Sequence, residues 1–515
     1  MSALLWHGAQ AAWARLPGSD RIPVVLVIPA ILTAAAVLST VSLCIYRLWF
    51  HPLARVPGPW LAACSSFWLA WHSFVGDECT AVFRLHEKYG PVLRVGPNDV
   101  DIADADAVNP IYVERGGFAK TANYSKFDVD GHATLFSSLT RDSRLPRARA
   151  VAPLFATGTI RKASGVGDNA VAMIVERFVE CVKLHADHSR ATGRPVNALL
   201  LGRSLALDAV STHLFKQTYG ALAEENMSAA PFVDAFVGVG AFFNLHAWLP
   251  GWDMKLMDLI DRFTGTMVTP DTDGSMQKID EYTIGLVETA VPGSGSYASR
   301  LLAAGTKTRQ VQAECKDVCF AGTDSSGMNM AMMLWQLSRH PDVYARLQRE
   351  LAAQVEANGP ATDITTNSYL RGVVRESLRL SWAAPTRLPR IVPAGGKTES
   401  AGWAFGGYVF PPGTSVGVAS FQLHQDEAVF PEATAFRPER WLQPTERMLN
   451  SFFAFGKGGR ACIGQNLAMS EMLLGTARLA QSDALRGATT VRDHVDILEW
   501  FNSRVIGEEV LLTFS

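Results

Sequence analysis

Residues Ile22–Tyr46 form 25 consecutive positions without a charge. As a helix this run spans about 37 Å, more than the ~30 Å hydrocarbon core of a bilayer. Pro23 suits a first helical turn, whereas Pro29 lies deeper and predicts a kink or a later start. The run predicts a membrane anchor. A signal peptide has a shorter apolar core that begins earlier, and a buried globular helix is the third reading that length permits. Arg15, Asp20 and Arg21 precede the run and Arg47, His51 and Arg55 follow it, a balance too even to fix orientation. Residues 51–59 then make a stiff, proline-rich connector. Leu85–Val100 reads as a helix, a Gly90-Pro91 turn and a strand through Val92, Arg94 and Val95. Gly116–Ser138 is irregular and aromatic, and Arg141–Arg149 carries four arginines. Helix-compatible runs fill Val166–Gly305. Val311–His340 predicts one long helix, Tyr408–Phe410 a strand ahead of a Pro-Pro-Gly turn, and Asn466–Leu474 a helix.

Composition changes this picture little. The 515 residues carry a formal charge of −2, which gives no reason to expect a nucleic-acid partner. The seven cysteines are sparse and without paired spacing, so a disulfide framework is excluded as a design principle. Cys315 and Cys319 share a helix face with no further ligand nearby, which favours core packing over metal binding. Gly238-Val-Gly240 lacks the third glycine and the placed acid of a dinucleotide fingerprint.

The candidate chemistry concentrates at Phe455–Gly464, which reads Phe-Gly-Lys-Gly-Gly-Arg-Ala-Cys-Ile-Gly. Cys462 ends a glycine-rich turn just before a helix, so free N–H groups and the positive end of the helix dipole favour its thiolate. Such a sulfur is a soft, donating ligand for a metal or haem iron. Gly458 allows the turn, Gly464 lets the helix approach a flat ligand, Arg460 offers a fixed cation, and Phe455 covers the sulfur. The spacing resembles the haem-binding loop of the cytochrome P-450 family at every defined position. Ala321-Gly-Thr-Asp-Ser325, Glu376-x-x-Arg379 and Pro438-Glu-Arg440-Trp441 precede it in the family order, and the resemblance covers residues 47–515.

The resemblance implies a mostly helical fold with small sheets, organised as a short N-terminal segment (1–21), a transmembrane anchor (22–46), a connector (47–59) and a catalytic domain (60–515). It implies haem b, iron protoporphyrin IX, with Cys462 as axial ligand. Arg460, Arg390 and Arg149 would face its propionates. At Arg149 the family carries Trp or His four residues earlier, where this chain has Leu145. Gly322 would let haem pack on the long helix, and Asp324 with Ser325, where the family usually has Thr, would relay protons. Glu376, Arg379 and Arg440 would form a structural ion network that holds the cysteine loop, while Ala383–Pro385 and Phe236–Trp252 would lie at the substrate pocket or channel.

The implied activity is insertion of one oxygen atom from O2 into a small lipophilic compound, by hydroxylation or epoxidation, in filamentous-fungal secondary metabolism. Alternatives are detoxification, or a haem-thiolate isomerase or dehydratase that needs no reductant. A haem sensor is a further class. With 53 residues after Cys462 and no flavin or nicotinamide motif visible, NADPH-derived electrons are expected from a separate NADPH–cytochrome P-450 reductase. The basic residues of 141–149 offer that donor a docking face. The implied location is the endoplasmic-reticulum membrane, single-pass, with the catalytic domain in the cytosol. The sequons at Asn123 and Asn226 would then go unused.

Overall fold

The computed structural model describes residues 24–164, 170–224, 233–249, 251–264, 270–394 and 402–515. It divides into two compact units, Met1–Ala54 and Arg55–Ser515. In the first, helix α1 (Val24–Ile45) continues into a π turn at Tyr46–Phe50. Pro29 falls early in α1 and the helix passes through it, at the cost of one first-turn hydrogen bond. The hydroxyls of Thr33 and Thr40 donate back to the carbonyls of Pro29 and Ala36, both at 2.8 Å, so these two polar groups are satisfied within the helix. Val27–Phe50 is long and apolar enough to cross a membrane.

The second unit is mostly helical. Helix α2 (Glu78–Tyr89) stops at Gly90, whose φ of 93° only glycine adopts freely, and strand β1 (Val92–Gly96) follows. β1 pairs with β2 (Asp99–Ile102) in a five-stranded sheet completed by β3 (Ala119–Lys120), β4 (Arg390–Ile391) and β5 (Ser415–Gly417), in the order β1-β2-β5-β4-β3. The antiparallel register of β3 and β4 sets Lys120 opposite Arg390. Near the C-terminus, the antiparallel pair β6 (Ile497–Leu498) and β7 (Arg504–Val505) presents its connecting loop to the interior.

Helices α3 (Arg141–Val151), α4 (Ala170–Thr192) and α5 (Ala198–Phe215) precede the central α6 (Thr308–Arg339). α6 is 32 residues long, and α5 is buried along nearly its whole length. The two approach at backbone distance. A Cβ on Gly202 would overlap the Gly327 carbonyl, one on Gly327 would lie 2.7 Å from Arg203 Cα, and one on Gly322 would lie 2.6 Å from Val210 Cγ2. The internal glycine of Ala321–Ser325 is therefore crowded by α5 as well as facing the cavity, so helix packing is a second reason for Gly322.

α7 (Pro341–Asn358), α8 (Ser368–Ser381) and α9 (Gln465–Gln481) close the main core, where Met330, Met333, Leu347, Val373 and Ala477 are almost fully buried. A second cluster surrounds the first half of α6, where Tyr124 packs edge to face on Phe243 and Phe501 and the rings of Phe127, Phe236, Phe243 and Phe501 meet at a tilt. Cys315 and Cys319 are wholly buried within it, as the packing reading expects. Asn123 is buried and donates to Asn244 Oδ1 at 3.3 Å, and Asn226 lies outside the described residues.

Candidate active site

The two core clusters enclose a cavity of about 300 Å³. Cys462, Phe455, Arg460 and Gly464 all line it. The loop closes on itself: the Cys462 N–H donates to the Phe455 carbonyl at 2.9 Å, and Ala461 N–H to Gly458 at 3.0 Å across a short 3-10 turn. Gly458 has a φ of 76° and sits against the backbone of Tyr112. Tyr112 is itself fixed, its hydroxyl donating to the Leu388 carbonyl and accepting from Val418 N–H, both at 2.8 Å. α9 begins directly after Gly464. Cys462 is open to the cavity but lies deep in the protein, whose desolvation pushes the thiol up while the N–H groups of Gly464 and Gln465 pull it back down. A Cβ on Gly464 would stand 3.9 Å from Sγ, an ordinary contact, so protein packing alone leaves room for a side chain there.

Cations gather beside the loop. Arg460 donates through NH2 to the carbonyls of Thr140 (2.8 Å) and Leu139 (3.3 Å), while its buried NH1 has no partner. Burial, with Arg144 and Arg390 nearby, lowers this guanidinium to about 10. Arg144 lines the cavity and donates to the Leu135 carbonyl at 3.2 Å. Arg149 does not belong here, which corrects the sequence assignment. Arg144, Ala148 and Val151 share the inward stripe of α3, and Arg149 lies about 140° round from Arg144 and is exposed. Arg390 is buried behind the wall, donating to Tyr124 Oη at 2.9 Å. Its cross-strand neighbour Lys120 reaches the cavity, with Nζ donating to the Phe136 carbonyl at 2.5 Å between the rings of Tyr124 and Phe136. Burial and the charges of Arg390, Arg460 and Arg144 hold its ammonium well below the usual range.

The opposite wall is a face of α6 carrying Asp317, Ala321, Gly322, Ser325, Ser326 and Asn329. Ser325 Oγ donates to the Ala321 carbonyl at 3.0 Å. Asp324 turns off this face into protein. Its Oδ2 accepts from Asn502 Nδ2 at 3.1 Å and its Oδ1 lies 3.6 Å from Arg203. Burial raises it to about 6 against the pull of Arg203 and Asn502. Asn502, on the β6–β7 loop, also lines the cavity and so connects it to Asp324.

Behind the loop, Glu376 accepts from Arg379 at 2.8 and 3.0 Å, from Arg440 at 2.8 Å and from the Trp441 indole at 2.8 Å. Arg379 also donates to the carbonyls of His424 (2.8 Å) and Ala433 (2.6 Å). The His424 ring completes the link to the cysteine loop. Its Nε2 accepts from Phe453 N–H at 3.0 Å, which leaves Nδ1–H to face the Arg379 carbonyl at 3.2 Å.

Residues 57–482 match the cytochrome P450 family. The chain belongs to that family. It is 34% identical over 504 residues to the cytochrome P450 monooxygenase mfmF of Annulohypoxylon moriforme, covering 92% of this chain and 97% of that one. It is 27% identical to the monooxygenase astB of Aspergillus terreus, over 87% and 89% of the two chains, and 27% identical to pisatin demethylase of Fusarium vanettenii, over 83% and 82%. The chain is therefore a haem monooxygenase, an oxidoreductase.

The residues present fit the haem that the P450 family implies. A helix-terminal cysteine supplies the soft donor, and an unpartnered buried Arg460 NH1 with Arg144 and Lys120 forms a cationic cluster suited to two carboxylates. The P450 loop also has a pH dependence. Burial and the Arg379 charge depress the His424 imidazolium to about 3, from 6.5. The folded protein keeps it neutral while the unfolded chain binds a proton, so its stability is fully present above pH 6.5 and is lost progressively towards pH 3. His424→Gln keeps an acceptor for Phe453 and removes the titration. The slope of unfolding free energy against pH, measured in denaturant between pH 6 and 4, falls by up to one proton, about 1.4 kcal/mol per pH unit. Equal slopes in the two proteins would refute this.

Proposed function

We propose that this P450 inserts one oxygen atom of O2 into a small lipophilic substrate, by hydroxylation or epoxidation, in a secondary-metabolite pathway of a filamentous fungus. The observation that carries the reading is Cys462 at a helix N-terminus, facing a cavity with an unpartnered buried arginine nitrogen at its rim. Haem, when bound, supplies the O2 reduction and oxygen transfer that no side chain can perform. The polypeptide holds, shields and supplies protons. Cys462 would bind the haem iron through its sulfur; Arg460, Arg144 and Lys120 would hold the propionates; Phe455 and Gly464 shape the wall beside the sulfur. The apolar lining, with Phe136, Phe155, Val210 and Phe236, suits a lipophilic substrate and excludes water.

Ser325 presents its hydroxyl at the cavity. Asp324, raised to about 6, stands behind Asn502 and can give up and regain a proton near neutral pH. Electrons would come from NADPH through a separate NADPH–cytochrome P450 reductase. Residues 22–46 and 47–59 would act as anchor and connector on the endoplasmic-reticulum membrane, with 60–515 in the cytosol. The apolar segment Val27–Phe50 supports the anchor.

The test uses full-length chain with reductase, and as substrate the compound that accumulates when the gene is deleted. Expected are a far-red Soret band of the reduced carbon-monoxide complex and a product one labelled oxygen heavier under isotopic O2. Product formed without NADPH would instead establish a rearrangement. Ser325→Ala is expected to raise NADPH consumption per product and release more peroxide. Unchanged coupling would remove Ser325 from proton supply.

A further inference from the structure

Asp317 lines the same cavity but takes no part in holding the cysteine loop or in the Ser325–Asn502–Asp324 arrangement. It is 5% exposed, two helical turns before Ser325 on the same stripe of α6, a rise of about 12 Å. Thr134 and the Phe136 N–H donate to its carboxylate, yet Oδ1 receives no hydrogen bond. A buried carboxylate oxygen without a donor is unfavourable, and such groups persist where a ligand completes them. Lys120 acts on it through its charge but directs Nζ to the Phe136 carbonyl, and Glu314, one turn earlier on α6, is engaged with Arg147, so Oδ1 itself receives no donor from either. The walls around Asp317 are apolar, formed by Leu135, Phe136, Phe236 and Val318.

We propose that Asp317 is a recognition point for a protonated amine on an otherwise lipophilic substrate, held about two helical turns along α6 from Ser325. A cation satisfies both needs of the site at once: it donates to Oδ1 and offsets the desolvated negative charge, whereas a neutral donor does only the first. The apolar walls accept the hydrocarbon body. This inference rests on the cavity being the substrate pocket of a haem monooxygenase.

The test compares N,N-dimethyldodecylamine with its carbon isostere 2-methyltetradecane, titrated into the haem-loaded full-length protein and followed by the shift of the Soret band. Variants are Asp317→Asn, which keeps an acceptor for Thr134 and Phe136, and Asp317→Glu, which restores the charge. The carbon-monoxide spectrum of each protein is recorded first. Its absence in the unmodified protein would defeat the haem reading itself, separately from this proposal. The wild type is expected to prefer the amine, and Asp317→Asn to lose that preference by roughly tenfold to a hundredfold without changing affinity for the alkane. Asp317→Glu recovers part of it. No preference in the wild type, or an equal effect of Asp317→Asn on both probes, would overturn the proposal.

Discussion

Arg379→Ala is expected to give a protein that no longer retains haem. The guanidinium is wholly buried, grips Glu376 with two hydrogen bonds and satisfies the carbonyls of His424 and Ala433. Its removal leaves the buried Glu376 carboxylate with Arg440, Trp441 and one backbone N–H, and orphans two carbonyls. Breaking one partner out of such a buried network costs about 3–5 kcal/mol, a large share of the 5–15 kcal/mol that separates most folded domains from unfolding. The damage reaches the cysteine loop through His424, whose ring accepts from Phe453 N–H. Arg379→Lys would fare little better, because a point charge cannot reproduce the planar fork. The measurement is the haem-to-protein ratio of purified variant, read beside the carbon-monoxide spectrum. Full occupancy would show that the network does not support the loop.

Gly458→Ala should have a comparable effect for a different reason. A methyl group at that position overlaps the Tyr112 carbonyl oxygen and approaches Val113 Cα to 3.0 Å, and the backbone φ of 76° is left-handed. The conformation alone costs about 1–2 kcal/mol for a residue with a side chain. Neither partner can yield cheaply, since the Tyr112 hydroxyl is held by two backbone groups. The loop must lift, carrying Arg460 and Cys462 from the cavity wall. Expected are sharply reduced haem content and an unfolding midpoint several degrees lower. Gly459→Ala, where an added Cβ meets nothing closer than 3.6 Å, serves as the control and should retain haem. Equal haem content in the two variants would refute the steric argument.

Local chemistry was legible in the sequence and long-range placement was not. The cysteine loop could be read because its requirements are met within ten consecutive residues, and the long helix and its Ala-Gly-x-Asp-Ser segment because their periodicity is local. Arg144 was missed in favour of Arg149 because α3 lacks the aromatic marker that would fix its register, and a five-residue offset moves a side chain to another face. Lys120 owes its place to pairing with Arg390 across the sheet, and Asn502 meets Asp324 across 178 residues. His424 gains meaning only from the two segments it joins. For Gly322 the sequence shows a reason to expect a small residue, while the crowding by α5 is invisible to a one-dimensional reading. For Asp317 no local signal is present, since Glu314 and Lys316 sit beside it in the chain and only the fold separates their surroundings.

The three glycines that bring α5 and α6 to backbone distance also divide the protein into parts that can change and parts that cannot. A side chain at Gly202 or Gly327 would meet the backbone of the other helix, so the wall bearing Ser325 cannot be moved without parting α5 and α6. The segments 120–136 and 499–503 form part of the facing wall and are anchored by the buried rings of Tyr124, Phe127 and Phe501. Directed evolution of substrate choice is therefore better spent on apolar cavity positions of those segments, such as Leu135 and Phe136, than on the helix crossings.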